Sequence, residues 1–184
     1  MCKVFISGSM RIKNLDNNVL ERINNIVGFH YQIIVGDADG VDTSIQSHLF
    51  SLNNTHVVVY CSGEEPRNNI GRWEVKRIST DAKPGTRKYF TAKDLKMADD
   101  CDYGFMVWDT KSTGTLSNAI ELLKRNKSSL IYINKIKEFF KVKEVNDLEN
   151  LIEYMSVSAR EKAESKIGLN KTIELLKNEQ GSLF

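Results

Sequence analysis

The sequence predicts an α/β fold: three layers, α/β/α, around a mainly parallel sheet of about five strands, with a helical extension at the C-terminal end. Three observations predict it. Short apolar runs alternate with amphipathic stretches of helical period along residues 1–135. The runs Val57-Val58-Val59 and Phe105-Met106-Val107-Trp108 are apolar without alternation, as strands covered on both faces must be. The β-branched run Ile33-Ile34-Val35 stops at Gly36, crosses Asp37-Ala38-Asp39-Gly40 and opens into a helical pattern through Ile45, Leu49 and Phe50.

Taken in order, the expected strands are Lys3 to Ser7, Gln32 to Gly36, His56 to Tyr60, Tyr103 to Trp108 and Ser129 to Ile133. Helical periodicity falls near Val19 to Val27, Val41 to Leu52, Ala92 to Ala98 and Leu116 to Lys124. The stretch from Cys61 to Phe90 breaks this rhythm. It is long and polar, with Gly63, Pro66, Gly71, Pro84 and Gly85, and it is a candidate lid. Its Trp73 and Arg72 would then cover a ligand, or Trp73 would anchor the loop on the core. Beyond Asn134, residues 136–184 carry Leu148, Leu151, Ile152, Ala159, Ala163, Ile167, Ile173 and Leu176 at helical spacing. This extension has no catalytic constellation and reads as a packing or oligomerisation element, which admits a homo-oligomer.

A chain of 184 residues with 41% hydrophobic and 27% charged residues suits one buried core plus a small appendage. No apolar run approaches the roughly 20 residues that cross a bilayer. The opening Met1 to Gly8 is too short for a secretory signal, so a cytoplasmic location and no membrane partner are expected. Cys2, Cys61 and Cys101 lack C-x-x-C spacing and are expected as reduced thiols, with no metal site. The net charge is +2 with both signs mixed along the chain, which argues against a nucleic-acid partner.

In a parallel sheet, ligands bind outside the carboxyl ends of the strands, so the loops that follow strands carry the functional argument. Three of them share a composition. Gly8-Ser9-Met10-Arg11 follows the first strand, Gly36-Asp37-Ala38-Asp39-Gly40-Val41-Asp42 the second, and Asp109-Thr110-Lys111-Ser112-Thr113-Gly114-Thr115 the fourth. Glycine permits close backbone approach, while Lys111, Ser112, Gly114 and Thr115 put a cation, a hydroxyl and free amides at a helix start, where a phosphate fits. Neither G-x-x-x-x-G-K-[ST] nor G-x-G-x-x-G is present, so ATP hydrolysis and ordinary dinucleotide binding lack their signatures. No cofactor is expected. Each loop also has a plain reading, in which glycine serves a turn and Ser, Thr or Asp caps a helix.

With those pieces in order, the chain resembles the SLOG superfamily. This Rossmann-like group includes the DNA-processing protein DprA and the lonely-guy cytokinin-activating phosphoribohydrolases. Its small YspA-like branch has G-S-R after the first strand, G-G-A-x-G-x-D after the second and S-x-G-T after an aspartate-rich helix end. Here these correspond to Gly8-Ser9-Met10, Gly36 to Asp42, Met97 to Asp102 and Ser112-Thr113-Gly114-Thr115. The similarity spans roughly residues 3 to 134 and implies a nucleotide-binding domain over 1–135. Two departures matter: Met10 replaces the arginine of G-S-R, with Arg11 beside it, and Asn118 stands where the phosphoribohydrolases carry a catalytic glutamate.

The resemblance implies that Gly8, Ser9, Arg11, Gly36, Asp37, Ala38, Gly40, Asp42, Asp109, Lys111, Ser112, Gly114, Thr115 and Asn118 bind a nucleotide or nucleotide-derived ligand, as in a sensor or regulatory module. The alternative is an N-glycosidase, a hydrolase or a transferase of nucleoside deoxyribosyltransferase or phosphoribohydrolase type. That chemistry needs a carboxylate facing an oxocarbenium ion and a group to protonate the leaving base. Asp42, Asp37 and Asp109, with Asp39, are the candidates.

Overall fold

A computed structural model describes residues 1–181. The elements run β1 (Lys3–Gly8), α1 (Asn17–Gly28), β2 (Gln32–Gly36), α2 (Val41–Ser51), β3 (Val57–Ser62), β4 (Glu74–Ile78), α3 (Arg87–Asp100), β5 (Tyr103–Trp108), α4 (Thr113–Lys124), β6 (Ser129–Ile133), β7 (Glu138–Val142), α5 (Val145–Ile152), α6 (Val157–Ile167) and α7 (Leu169–Gly181). The last three residues of the 136–184 extension lie outside the described residues.

The seven strands form one sheet in the order β4-β3-β2-β1-β5-β6-β7. All neighbours pair parallel except β6 and β7, which are antiparallel. The expected fold class holds, with two more strands than the five read from the chain, both at the sheet's edges. The sheet sorts its side chains by the two-residue period of a strand. Phe5, Ile34, Val58 and Met106 face a layer built from α3 and α4, which α5, α6 and α7 extend. Val4, Ile6, Ile33, Val35, Val59 and Val107 face α1 and α2 through Val19, Ile23, Ile45 and Leu49. Each fully buried Ile or Leu contributes about 1.5–3 kcal/mol of transfer free energy, so both faces hold the strands in register.

The strand order creates the site. From β1 the chain winds one way through β2, β3 and β4, then returns to place β5 on β1's other side. The loops after β1 and β5 therefore diverge above the sheet and leave a crevice, the position at which open α/β sheets bind ligands. The extension reaches this region because α6 packs on α4, and its Ala159 and Ala163 are buried in the same core layer. Among the described residues, no helix is long and apolar enough to cross a membrane, and the three cysteines are unpaired thiols.

Candidate functional site

A cleft of about 420 Å³ opens at this switch point, walled by the loops after β1, β2 and β5, by α3 and by α6. Its geometry starts from turn chemistry. The Ser9 hydroxyl donates to Asp109 Oδ2 at 2.8 Å and accepts from the Arg11 N–H at 3.2 Å. Asp109 Oδ1 accepts from the N–H groups of Lys111 and Ser112 at 3.0 and 2.6 Å. One carboxylate thus ties the β1 and β5 loops together, a structural task that occupies both its oxygens. Ser112 then caps α4, its Oγ accepting from the Thr115 N–H and hydroxyl at 3.4 and 3.1 Å. The amides of Thr113 and Gly114 have no acceptor among the described residues and open at the same end of α4. A Cβ at Gly114 would make only an ordinary contact, 3.9 Å from Ser112 Oγ, so little crowds the approach to these amides.

The floor of the cleft is a buried charge cluster. Asp42, Lys93 and Asn118 are all less than a tenth exposed and all line it. The Asp42 Oδ2 accepts from the Ala38 N–H at 3.2 Å. Burial pushes the Asp42 carboxyl up to about 7; the Lys93 ammonium opposes the shift, and the charges of Asp94 and Asp37 add to it. Lys93 donates to Asp94 Oδ1 at 2.7 Å and lies 3.9 Å from Asp37 Oδ1. Burial would push its ammonium down, yet the surrounding carboxylates, Asp94 foremost, hold it above the usual lysine range. Gly36 gives these groups their room, because a Cβ there would displace the ends of both the Asp42 and the Lys93 side chains. Gly40 is required by its φ of 78° and by the Met10 backbone against it. The Asn118 amide donates to Ser7 Oγ at 2.9 Å.

Asp37 takes a different role. Arg67 grips it from the segment after β3, with Nε at 3.1 Å, NH2 at 2.8 Å and the Arg67 backbone N–H at 3.0 Å. Burial favours the neutral acid, but these bonds outweigh it and hold the Asp37 carboxyl below the usual range. The same guanidinium lies 4.5 Å over the Phe90 ring, and Arg67 and Phe90 both line the cleft. Asn68 donates to the Asp37 carbonyl and to Asp39 at 2.8 and 3.1 Å. The buried Gln46 bonds Gly36, Asn68 and Ile70. The candidate lid is therefore stapled to the β2 loop as a wall. Trp73 lies outside the cleft and donates to the Asn54 carbonyl at 2.8 Å, in its anchoring role.

Of the residues singled out from sequence, Gly8, Ser9, Arg11, Ala38, Asp42, Asp109, Lys111, Ser112, Gly114, Thr115 and Asn118 line one cleft. Gly36, Asp37 and Gly40 do not; they stand behind it. Sequence reading missed Arg67, Phe90, Lys93, Asp94 and Lys162, which also line it. Arg11 occupies the cleft beside Met10, whose side chain is largely exposed.

No family model matches this chain, and no curated protein matches it. Among solved structures, DNA processing protein A (DprA) from Helicobacter pylori, described for its unique single-stranded DNA binding mode, matches with a TM-score of 0.54 and 20% identity. The match covers 71% of this chain and 64% of that one, so this chain spans less than two thirds of that structure's length. The likeness carries the Rossmann-like fold. It also overturns the argument against a nucleic-acid partner, since that neighbour of the same fold is described as binding single-stranded DNA. Charge that is mixed along the chain still gathers in the fold: Arg11, Lys93, Lys111 and Lys162 reach the cleft from four separate elements.

Proposed function

We propose that this chain binds a phosphorylated nucleoside in the switch-point cleft, either a free nucleotide or a unit of single-stranded DNA, and that it belongs near the YspA-like branch of the SLOG superfamily. One observation carries the reading. The unpartnered amides of Thr113 and Gly114 at the α4 N-terminus open beside Lys111, above a floor of buried polar groups. A phosphate is bound by that combination of dipole, N–H donors and cation. The sugar and base then lie toward Asp42, Lys93 and Asn118, with the Phe90 ring as a stacking surface. The DprA structure supports the same class of ligand, since its DNA is a chain of such units.

Calorimetry tests this with AMP, GMP, dTMP, cyclic AMP, ADP-ribose and a short oligo-dT. At least one phosphorylated ligand should bind, and Lys111→Ala should weaken it roughly tenfold, as loss of a charge-assisted contact does. Absence of binding across the panel, or an undiminished affinity in the variant, would sink the reading.

A second reading, cleavage of the N-glycosidic bond, is favoured by one specific pair. Asp42, whose carboxyl is pushed up to about 7, shares the cleft with Asp94, which is ion-paired to Lys93. Two carboxyls in unlike environments suit a proton donor and a charge stabiliser. As the C1′–N bond breaks, its electrons pass to the base, which takes the Asp42 proton, while Asp94 faces the oxocarbenium ion; water then adds to C1′ and gives up a proton to the Asp42 carboxylate, restoring the acid. Asp37 and Asp109 are committed elsewhere. Labelled nucleotides that bind yet release no free base would remove this reading; Asp42→Asn should abolish any release that occurs.

A further inference from the structure

The cations of the cleft fall into two sets. Arg67 and Lys93 are paired with Asp37 and Asp94. Arg11, Lys111 and Lys162 make no side-chain hydrogen bond or ion pair among the described residues, and all three are exposed on the rim. They come from the loop after β1, the loop after β5 and α6. A phosphate monoester carries about −1.5 to −2 charge at neutral pH. The α4 amides and Lys111 already match one such group, which leaves Arg11 and Lys162 as uncompensated positive charge.

We propose that the cleft takes a nucleoside bearing two successive phosphate charges, and that Lys162 pairs with the outer one, so that the C-terminal extension completes the binding site. The inference rests on the phosphorylated-nucleoside reading above. It is carried by Lys162 itself: α6 packs against α4, and Lys162 on α6 lines the cleft while remaining exposed at its rim. Two sources share the required chemistry, a nucleoside diphosphate and a two-nucleotide stretch of single strand.

The test compares AMP, ADP, TMP and the dinucleotide pTpT by calorimetry on the wild type, Lys162→Ala, Lys162→Glu and Lys162→Arg, with thermal melting to show that each exposed substitution leaves the fold intact. ADP or pTpT should bind more tightly than its monophosphate. Lys162→Ala should weaken that tighter ligand about fivefold while moving the monophosphate less than twofold, the size of a partly exposed ion pair. Lys162→Glu should weaken it further, and Lys162→Arg should retain it. A gain with ADP alone identifies a diphosphate, and a gain with pTpT alone identifies a strand. Equal affinity for one and two phosphates, or a Lys162→Ala effect shared equally by both, overturns the inference and leaves nucleotide binding standing. Failure of all four ligands to bind overturns both.

Discussion

Asp42 is the residue on which the site's pH behaviour turns. Its carboxyl sits above its unfolded value, so its stabilising contribution is complete below about pH 4 and is lost as the pH rises through about 7. Asp42→Asn keeps an acceptor for the Ala38 N–H and removes the titration. Urea denaturation should show the variant gaining about 2 kcal/mol on the wild type between pH 5 and pH 8; a constant difference would show that Asp42 does not titrate in this range. Asp37 behaves oppositely. Its carboxyl is held down, so the Arg67 interaction stabilises above about pH 4 and fades as the pH falls further. Arg67→Ala should cost about 2 kcal/mol at pH 7, below the full penalty for orphaning a buried charge because Arg67 is 37% exposed and Lys93 remains nearby. The same variant should cost less at pH 3, measured in the same way.

At the scale of elements, the segment between β3 and α3 shows what sequence could and could not disclose. Its length and polarity marked it as unusual, yet β4 went unread because Glu74-Val75-Lys76-Arg77-Ile78 carries the charge of a sheet edge. β7 was hidden for a different reason: it pairs antiparallel with β6 through a tight turn, so no crossover helix lies between the two strands to announce it. The buried strands were legible because burial on both faces demands unbroken apolar runs. The three ligand loops were legible because glycine, Ser112 and Asp109 act on their own neighbours in sequence. Lys93, Asp94, Arg67 and Phe90 were not, since only tertiary packing carries them to the cleft. Lys93 lies in a stretch, Lys93-Asp94-Leu95-Lys96, that reads as a solvated helix face. The stapling of this segment also makes a prediction. Trp73→Phe keeps an aromatic anchor but loses the bond to the Asn54 carbonyl, so it should lower stability by about 1 kcal/mol. Nucleotide affinity should stay within a factor of two; a large loss would mean that Trp73 covers the ligand after all.

At the scale of the whole molecule, the topology gathers cations that the linear sequence scatters. Net charge of +2 gives no general attraction for a polyanion, so any binding of a single strand must draw on the few side chains that meet at the switch point. This limits its salt dependence. A protein with an extended basic surface releases many counterions, whereas a site that uses Arg11, Lys111 and Lys162 releases about three. The logarithm of the association constant for a short oligo-dT should therefore fall with the logarithm of salt concentration at a slope of about −2, from roughly −0.7 for each phosphate neutralised on a single strand. Replacing any one of the three by alanine should flatten the slope by about 0.7. Fluorescence anisotropy between 50 and 300 mM salt reads both quantities. A slope steeper than about −4 would place the strand on a broader surface than this cleft, and a slope insensitive to all three substitutions would separate DNA binding from the switch point altogether.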